Sequence, residues 1–149
     1  SSYTMNRIIL VTGGFDPIHG GHIKYIQEAK KVDPESPLCV GLNSEEWLIR
    51  KKGKYFMTFD ERKEVLSAIK DVDLVIPFID DDNSACDAID MCLQIYDLVI
   101  FCNGGDRHNE NAPEFDTFKH DHRVHFRWAV GGTEKYNSSA AILERWDKK

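Results

Sequence analysis

Apolar residues along the chain gather into short runs, and between the runs they recur every three or four positions. The runs are Ile8-Ile9-Leu10-Val11, Leu38-Cys39-Val40-Gly41-Leu42, Leu74-Val75-Ile76, Leu98-Val99-Ile100-Phe101-Cys102 and the alternating Val124 to Val130. Such runs suit strands covered on both faces. They predict strands over about 7–12, 38–42, 73–78, 98–102 and 124–130. Ile23, Ile26, Ala29 and Val32 share a helical face, so a helix is predicted over 21–32. Asp33-Pro34-Glu35-Ser36-Pro37 ends it, because proline cannot continue a helix. Asn43-Ser44-Glu45-Glu46 can cap a short helix carrying Trp47, Leu48 and Ile49. Thr58 and Glu61 have capping-box spacing ahead of Val65, Leu66 and Ile69. Ala85, Cys86, Ile89, Cys92, Leu93 and Tyr96 mark another helix, and Asn137-Ser138-Ser139 can cap a last one over 140–146. The basic stretch Arg50-Lys51-Lys52-Gly53-Lys54 is expected in a loop between helices. Residues 103–122 are polar and read as one long loop.

Strands that alternate with helices imply a parallel sheet with right-handed crossovers. The expected fold is therefore α/β and Rossmann-like, a five-stranded parallel sheet with helices on both faces. No repeat or linker divides residues 5–149, which read as a single domain. Ser1 to Thr4 precede Met5 and read as a cloning remnant.

Composition narrows the function classes. The formal charge is −6, and a phosphate backbone rewards a basic surface, so a general nucleic-acid binder is disfavoured. No apolar run approaches the ~18 residues of a membrane span, and no signal-peptide pattern opens the sequence. A cytoplasmic protein without a membrane partner is expected. Cys39, Cys86, Cys92 and Cys102 form no C-x-x-C pair and read as reduced, mostly buried thiols.

The chemistry gathers in Gly13-Gly14-Phe15-Asp16-Pro17-Ile18-His19-Gly20-Gly21-His22. This stretch stands where the first strand hands over to the first helix, the usual ligand position of an open α/β sheet. A helix N-terminus offers free N–H groups and positive potential to phosphate. His19 and His22, three residues apart, can address one phosphate from the first helical turn, as charge donors. Gly20 and Gly21 leave room for close approach. Phe15 reads as packing under the turn and Asp16 as a turn or lysine partner.

The ordered pattern G-x-F-D-x-x-H-x-G-H resembles the signature of the cytidylyltransferase-like nucleotidyltransferases. The likeness continues through the basic stretch, Asp60-Glu61-Arg62, Val72-Asp73-Leu74-Val75-Ile76, Gly104-Gly105-Asp106 and Asn137-Ser138-Ser139. Glycerol-3-phosphate and heptose members share these features. The resemblance implies attack of a substrate phosphate on the α-phosphorus of a nucleoside triphosphate, with pyrophosphate released. It implies His19, His22, Lys51 and Arg62 as catalytic or phosphate-contacting residues. Gly13, Gly14, Phe15, Asp16, Gly21, Gly104, Gly105, Asp106, Asn137, Ser138 and Ser139 would bind nucleotide. It further implies Mg²⁺ carried by the triphosphate, no metal held by the protein alone, a small phosphorylated acceptor and a homodimer. CTP with a polyol phosphate such as glycerol 3-phosphate is the first expectation. ATP with a heptose or other sugar 1-phosphate is the second, and an inactive nucleotide-binding module a third. Gly132 stands where glycerol-3-phosphate members carry an arginine, so Lys135 or Arg127 would have to supply that charge.

Other clusters read more plainly. His120, His122 and His125 could ligate zinc, but a polar approach to an edge strand is the simpler reading. Asp80-Asp81-Asp82 reads as a helix-capping acidic run before it reads as a cation site. The chain is short and acidic for an aminoacyl-tRNA synthetase and lacks K-M-S-K-S. It also lacks the G-x-G-x-x-G of a dinucleotide-dependent dehydrogenase.

Overall fold

The computed structural model describes residues 5–105, 112–132 and 139–147. The elements in chain order are β1 (Arg7–Gly13), α1 (Gly20–Val32), β2 (Leu38–Leu42), α2 (Glu45–Lys52), α3 (Phe59–Ser67), β3 (Leu74–Pro77), α4 (Cys86–Leu93), β4 (Leu98–Gly104), α5 (Pro113–Phe118), β5 (Val124–Val130) and α6 (Ser139–Asp147). The five strands form one sheet in the order β3-β2-β1-β4-β5. Every pairing is parallel, with Ile9 opposite Leu38 on one side of β1 and Arg7 opposite Leu98 on the other.

The continuous apolar runs follow from this burial. Along β1 the side chains alternate between two cores. Ile9 and Val11 join Val40, Leu42, Ile100 and Cys102 beneath Ile26 and Ala29 of α1 and Leu66 of α3. Ile8 and Leu10 join Cys39, Val99 and Phe101 beneath Ala88, Ile89 and Cys92 of α4 and Phe118 of α5. The sheet is thus covered on both faces, the Rossmann-like arrangement expected. The four cysteines are free thiols, three of them buried.

Three expectations about the elements need correction. Arg50, Lys51 and Lys52 lie in the last turn of α2, which ends only at Gly53 in the left-handed conformation (φ 86°). Cations there complement the negative end of the helix dipole, so the charge run extends the helix. Residues 103–122 do not form one loop: α5 starts with Pro113 in its first turn and buries Glu114 and Phe118. Proline at a helix start was the readable signal; the polar surroundings hid it. The last helix also starts one residue early, so Ser139 is its first residue and not a cap.

The chain leaves β1 toward β2 and β3 on one side, and β4 and β5 lie on the other. The strand order reverses between β1 and β4, the switch point at whose carboxyl end sheets of this kind usually bind ligands. Gly13 and Gly104 end the two strands that border it.

Candidate active site

The turn after β1 is tightly specified. Gly14 has no room for a side chain, because a Cβ there would meet Leu48 Cδ2 at 2.8 Å and the Trp47 ring at 3.2 Å. Its glycine therefore answers to the close approach of α2. Phe15 takes a positive φ of 50°, and the Asp16–Pro17 peptide bond is cis. Phe15 is buried, as expected, with its ring edge-on to His22 at 4.9 Å between centroids.

Asp16 is 2% exposed and acts as an anchor. Its carboxylate accepts the N–H groups of Phe56 (2.7 Å) and Met57 (2.6 Å). Lys52 Nζ stands 3.5 Å from the same carboxylate and donates to the Asp16 carbonyl at 2.5 Å. The segment between α2 and α3 is thereby tied to the histidine turn.

His19 is the N-cap of α1, and its Nδ1 accepts the Gly21 N–H at 3.0 Å. His22 Nδ1 accepts the His19 N–H at 3.2 Å. The two residues form a capping box built from imidazoles. A ring nitrogen that accepts carries no proton, so each neutral ring holds its proton on Nε2. The rings stack with centroids 3.8 Å apart and 27° between planes. Burial, and then the charges of His19 and Lys52, push His22 down to about 3. Burial also lowers His19. Both side chains are thus neutral N–H donors at pH 7. The sequence-based expectation of charged donors is corrected, because two stacked, partly desolvated imidazolium groups would repel.

This arrangement sets a pH dependence of stability. The unfolded histidines, with ordinary values near 6.5, take up protons before the folded ones do. Stability is full above pH 6.5 and falls as the pH drops toward His22's value of about 3. The slope contributed by His22 approaches about 1.4 kcal/mol per pH unit. Urea unfolding at pH 7, 6 and 5 should show this decline, and His22→Asn should flatten it. An unchanged slope in that variant would refute the assignment.

Arg62 is placed differently from expectation. It is fully buried, and Nη1 donates to the carbonyls of Gly14 and Asn43, both at 2.8 Å. Nε points to the carbonyls of Met57 (3.1 Å) and Thr58 (3.3 Å). Nη2 is buried without a partner among the described residues. Arg62 therefore joins the β1 turn, the end of β2 and the start of α3 from within.

The basic residues of α2 divide by what holds them. Arg50 donates to the Asp80 carbonyl at 2.7 Å and to Asn83. Lys52 is held by Asp16. Lys51 Nζ lies over the Trp47 ring, 4.7 Å from its centroid. At the end of β4, a Cβ on Gly104 would sit 3.1 Å from the Tyr25 ring, and Gly105 adopts φ 65°. The Tyr25 hydroxyl donates to the Cys102 carbonyl. Asp106, Asn137 and Ser138 fall outside the described residues, as do Lys135 and the side chain of Ser139.

Some supporting residues escaped the sequence reading. Asp80, read as part of a solvated run, is buried and accepts from Asn43 Nδ2 (3.0 Å), the Ser44 N–H (2.8 Å) and the Ser44 hydroxyl (2.8 Å). Glu45 accepts the Phe59 N–H at 2.8 Å. No local pattern marks either, since both partners are distant in sequence. His120, His122 and His125 are exposed, and no metal-binding group of three or more His, Cys, Asp or Glu side chains occurs among the described residues.

Residues 10–133 match the profile of a family described as Cytidylyltransferase-like. The glycerol-3-phosphate cytidylyltransferase of Bacillus subtilis is 31% identical over 98 residues, covering 66% of this chain and 70% of that protein. The bifunctional protein HldE of Syntrophotalea carbinolica is 29% identical over 144 residues, 95% of this chain but 28% of that protein. The chain thus spans less than a third of the length of that relative. The crystal structure of a lipopolysaccharide core biosynthesis protein from Thermoplasma volcanium superimposes with a TM-score of 0.63 at 26% identity, over 90% of this chain and all of the other.

Proposed function

Because the chain belongs to the cytidylyltransferase-like family of nucleotidyltransferases, we propose that it couples CTP to a small phosphorylated polyol such as glycerol 3-phosphate. A phosphate oxygen of the acceptor attacks the α-phosphorus in line. The bond to the bridging oxygen breaks, and pyrophosphate leaves with Mg²⁺, which enters on the triphosphate as part of the substrate. No covalent enzyme intermediate is required. The enzyme's task is to position two anions and to stabilise the charge growing on the α-phosphoryl oxygens.

The observation that carries this reading is the paired histidine cap. Both Nδ1 atoms are occupied by backbone N–H groups, so both Nε2–H groups remain for the α-phosphoryl group and the leaving oxygen. The helix N-terminus adds positive potential without a proton to lose. Lys51, one residue before the Asp16-bound Lys52, supplies charge for the acceptor's phosphate. Gly104, Gly105 and Asp106 would face the base and sugar. Asn137, Ser138 and Ser139 would face the β- and γ-phosphates. We place the enzyme in the cytoplasm as a homodimer, on the family resemblance.

A second reading pairs ATP with a sugar 1-phosphate. The likeness to the Thermoplasma lipopolysaccharide core biosynthesis protein favours it, as does Gly132 in place of the arginine of glycerol-3-phosphate members. A pyrophosphate-release assay across CTP, ATP, GTP and UTP, each with glycerol 3-phosphate and with sugar 1-phosphates, decides between them. CTP should be preferred by at least tenfold. A clear preference for ATP would replace the first reading by the second, and nucleotide binding without turnover would favour an inactive module.

A further inference from the structure

The three cations in the last turn of α2 are not equivalent. Arg50 is committed to the Asp80 carbonyl and Asn83, and Lys52 to Asp16. Among the described residues, no carboxylate pairs with Lys51; its ammonium rests on the face of Trp47. An aromatic face attracts a cation without occupying its N–H donors as a carboxylate would. The ammonium therefore stays available to an arriving anion.

Trp47 is itself fixed in place. Its ring reaches the β1 turn, where the Gly14 position has room only for hydrogen. Its backbone N–H donates to the Ser44 hydroxyl at 3.0 Å, and Ser44 is held by Asp80. Lys52, at the other end of α2, is tied to Asp16. The indole thus packs beside the histidine turn, and Lys51 lies on it. A lysine loses substantial rotamer freedom when it binds an anion, and a ring face that already restricts the side chain reduces that loss.

We propose that Trp47 is a positioning residue, holding Lys51 at the mouth of the site to receive the acceptor's phosphate. This rests on the nucleotidyltransferase reading. Phenylalanine keeps a cation-attracting face, whereas leucine keeps only the bulk.

The test compares wild type, Trp47→Phe, Trp47→Leu, Lys51→Ala and the Trp47→Leu/Lys51→Ala double variant under steady-state turnover. Trp47→Leu should raise the acceptor KM about two- to fivefold, the range of a solvent-exposed cation–aromatic contact. The nucleotide KM should not change, Trp47→Phe should stay within about 1.5-fold of wild type, and Trp47→Leu should add nothing once Lys51 is alanine. A joint rise of both KM values, or an undiminished effect of Trp47→Leu in the Lys51→Ala background, would overturn the proposal. A second arm titrates tryptophan emission with inorganic phosphate and needs no turnover. The wild type should respond as phosphate draws up to the ammonium held over the indole, and Trp47→Phe and Lys51→Ala should not. An absent wild-type response, or an equal one in Lys51→Ala, would refute the positioning role. A wild type that responds to phosphate but turns over no substrate pair would sink the nucleotidyltransferase reading and leave the Lys51–Trp47 device standing.

Discussion

His22→Ala is expected to lower kcat by about 10²–10³, the usual cost of deleting one preorganised donor from a developing oxyanion. The expectation follows from the tautomer. With Nδ1 receiving the His19 N–H, the Nε2–H group of His22 is the one able to meet the α-phosphoryl group. His19→Ala should cost a similar factor in rate, but it also removes the cap of α1, worth ~1 kcal/mol of stability. His19→Asn separates the two effects, since asparagine is a good cap but lacks a donor at the reach of Nε2. It should fold with near wild-type stability and remain as slow as the alanine variant. The double alanine variant should lose less than the product of the single factors, because the two rings act on one group. Pyrophosphate release measures all four variants. A double variant that kept the wild-type rate would end the proposed mechanism.

Arg62→Met is expected to destabilise the fold by about 3–5 kcal/mol, the range for removing one side of a buried charged network. The loss has a clear origin. The carbonyls of Gly14 and Asn43, each at 2.8 Å from Nη1, would lose their donor, and Asp16, Glu45 and Asp80 would lose the positive charge they surround. Unsatisfied buried groups cost more than the bonds they replace. Arg62→Lys should recover only part of the loss, because one ammonium cannot reproduce the planar fork. Denaturant midpoints at unchanged m-value report the change. If Arg62→Met kept its stability yet lost turnover, the side chain would belong with the phosphate contacts after all.

The contrast between His22 and Arg62 shows which parts of the site a sequence reveals. The central strands β1, β2 and β4 were legible because each is buried on both faces and leaves an unbroken apolar run, and the edge strand β5 because its residues alternate. The histidine turn was legible because spacing on a helix start is a local property. Ser44 and Thr58 could likewise be read as caps, and their side chains accept the N–H groups of Trp47 and Glu61. Asp16, read as a turn or lysine partner, does pair with Lys52; its hold on Phe56 and Met57, and the structural roles of Arg62 and Asp80, were not legible. Their partners lie up to 48 residues away, and a charged residue looks the same in sequence whether it faces water or backbone carbonyls. The neutrality of His19 and His22 was hidden for the same reason, since burial and ring stacking exist only once the turn has closed. Helix α5 was missed because six residues carry too little periodicity to outweigh their polar surroundings.

The grip of Asp16 on the segment after α2 has a consequence for how this chain can diversify. Its carboxylate holds Phe56 and Met57 through backbone N–H groups, which nearly every residue type provides. The neighbouring Tyr55 and Phe56 side chains are 40% and 61% exposed and take no part in that hold. Substitutions at residues 54–56 other than proline at 56 are therefore expected to leave the segment tied to the histidine turn. On the proposed function, a library of such substitutions is expected to yield altered acceptor preferences while the histidine turn stays in register.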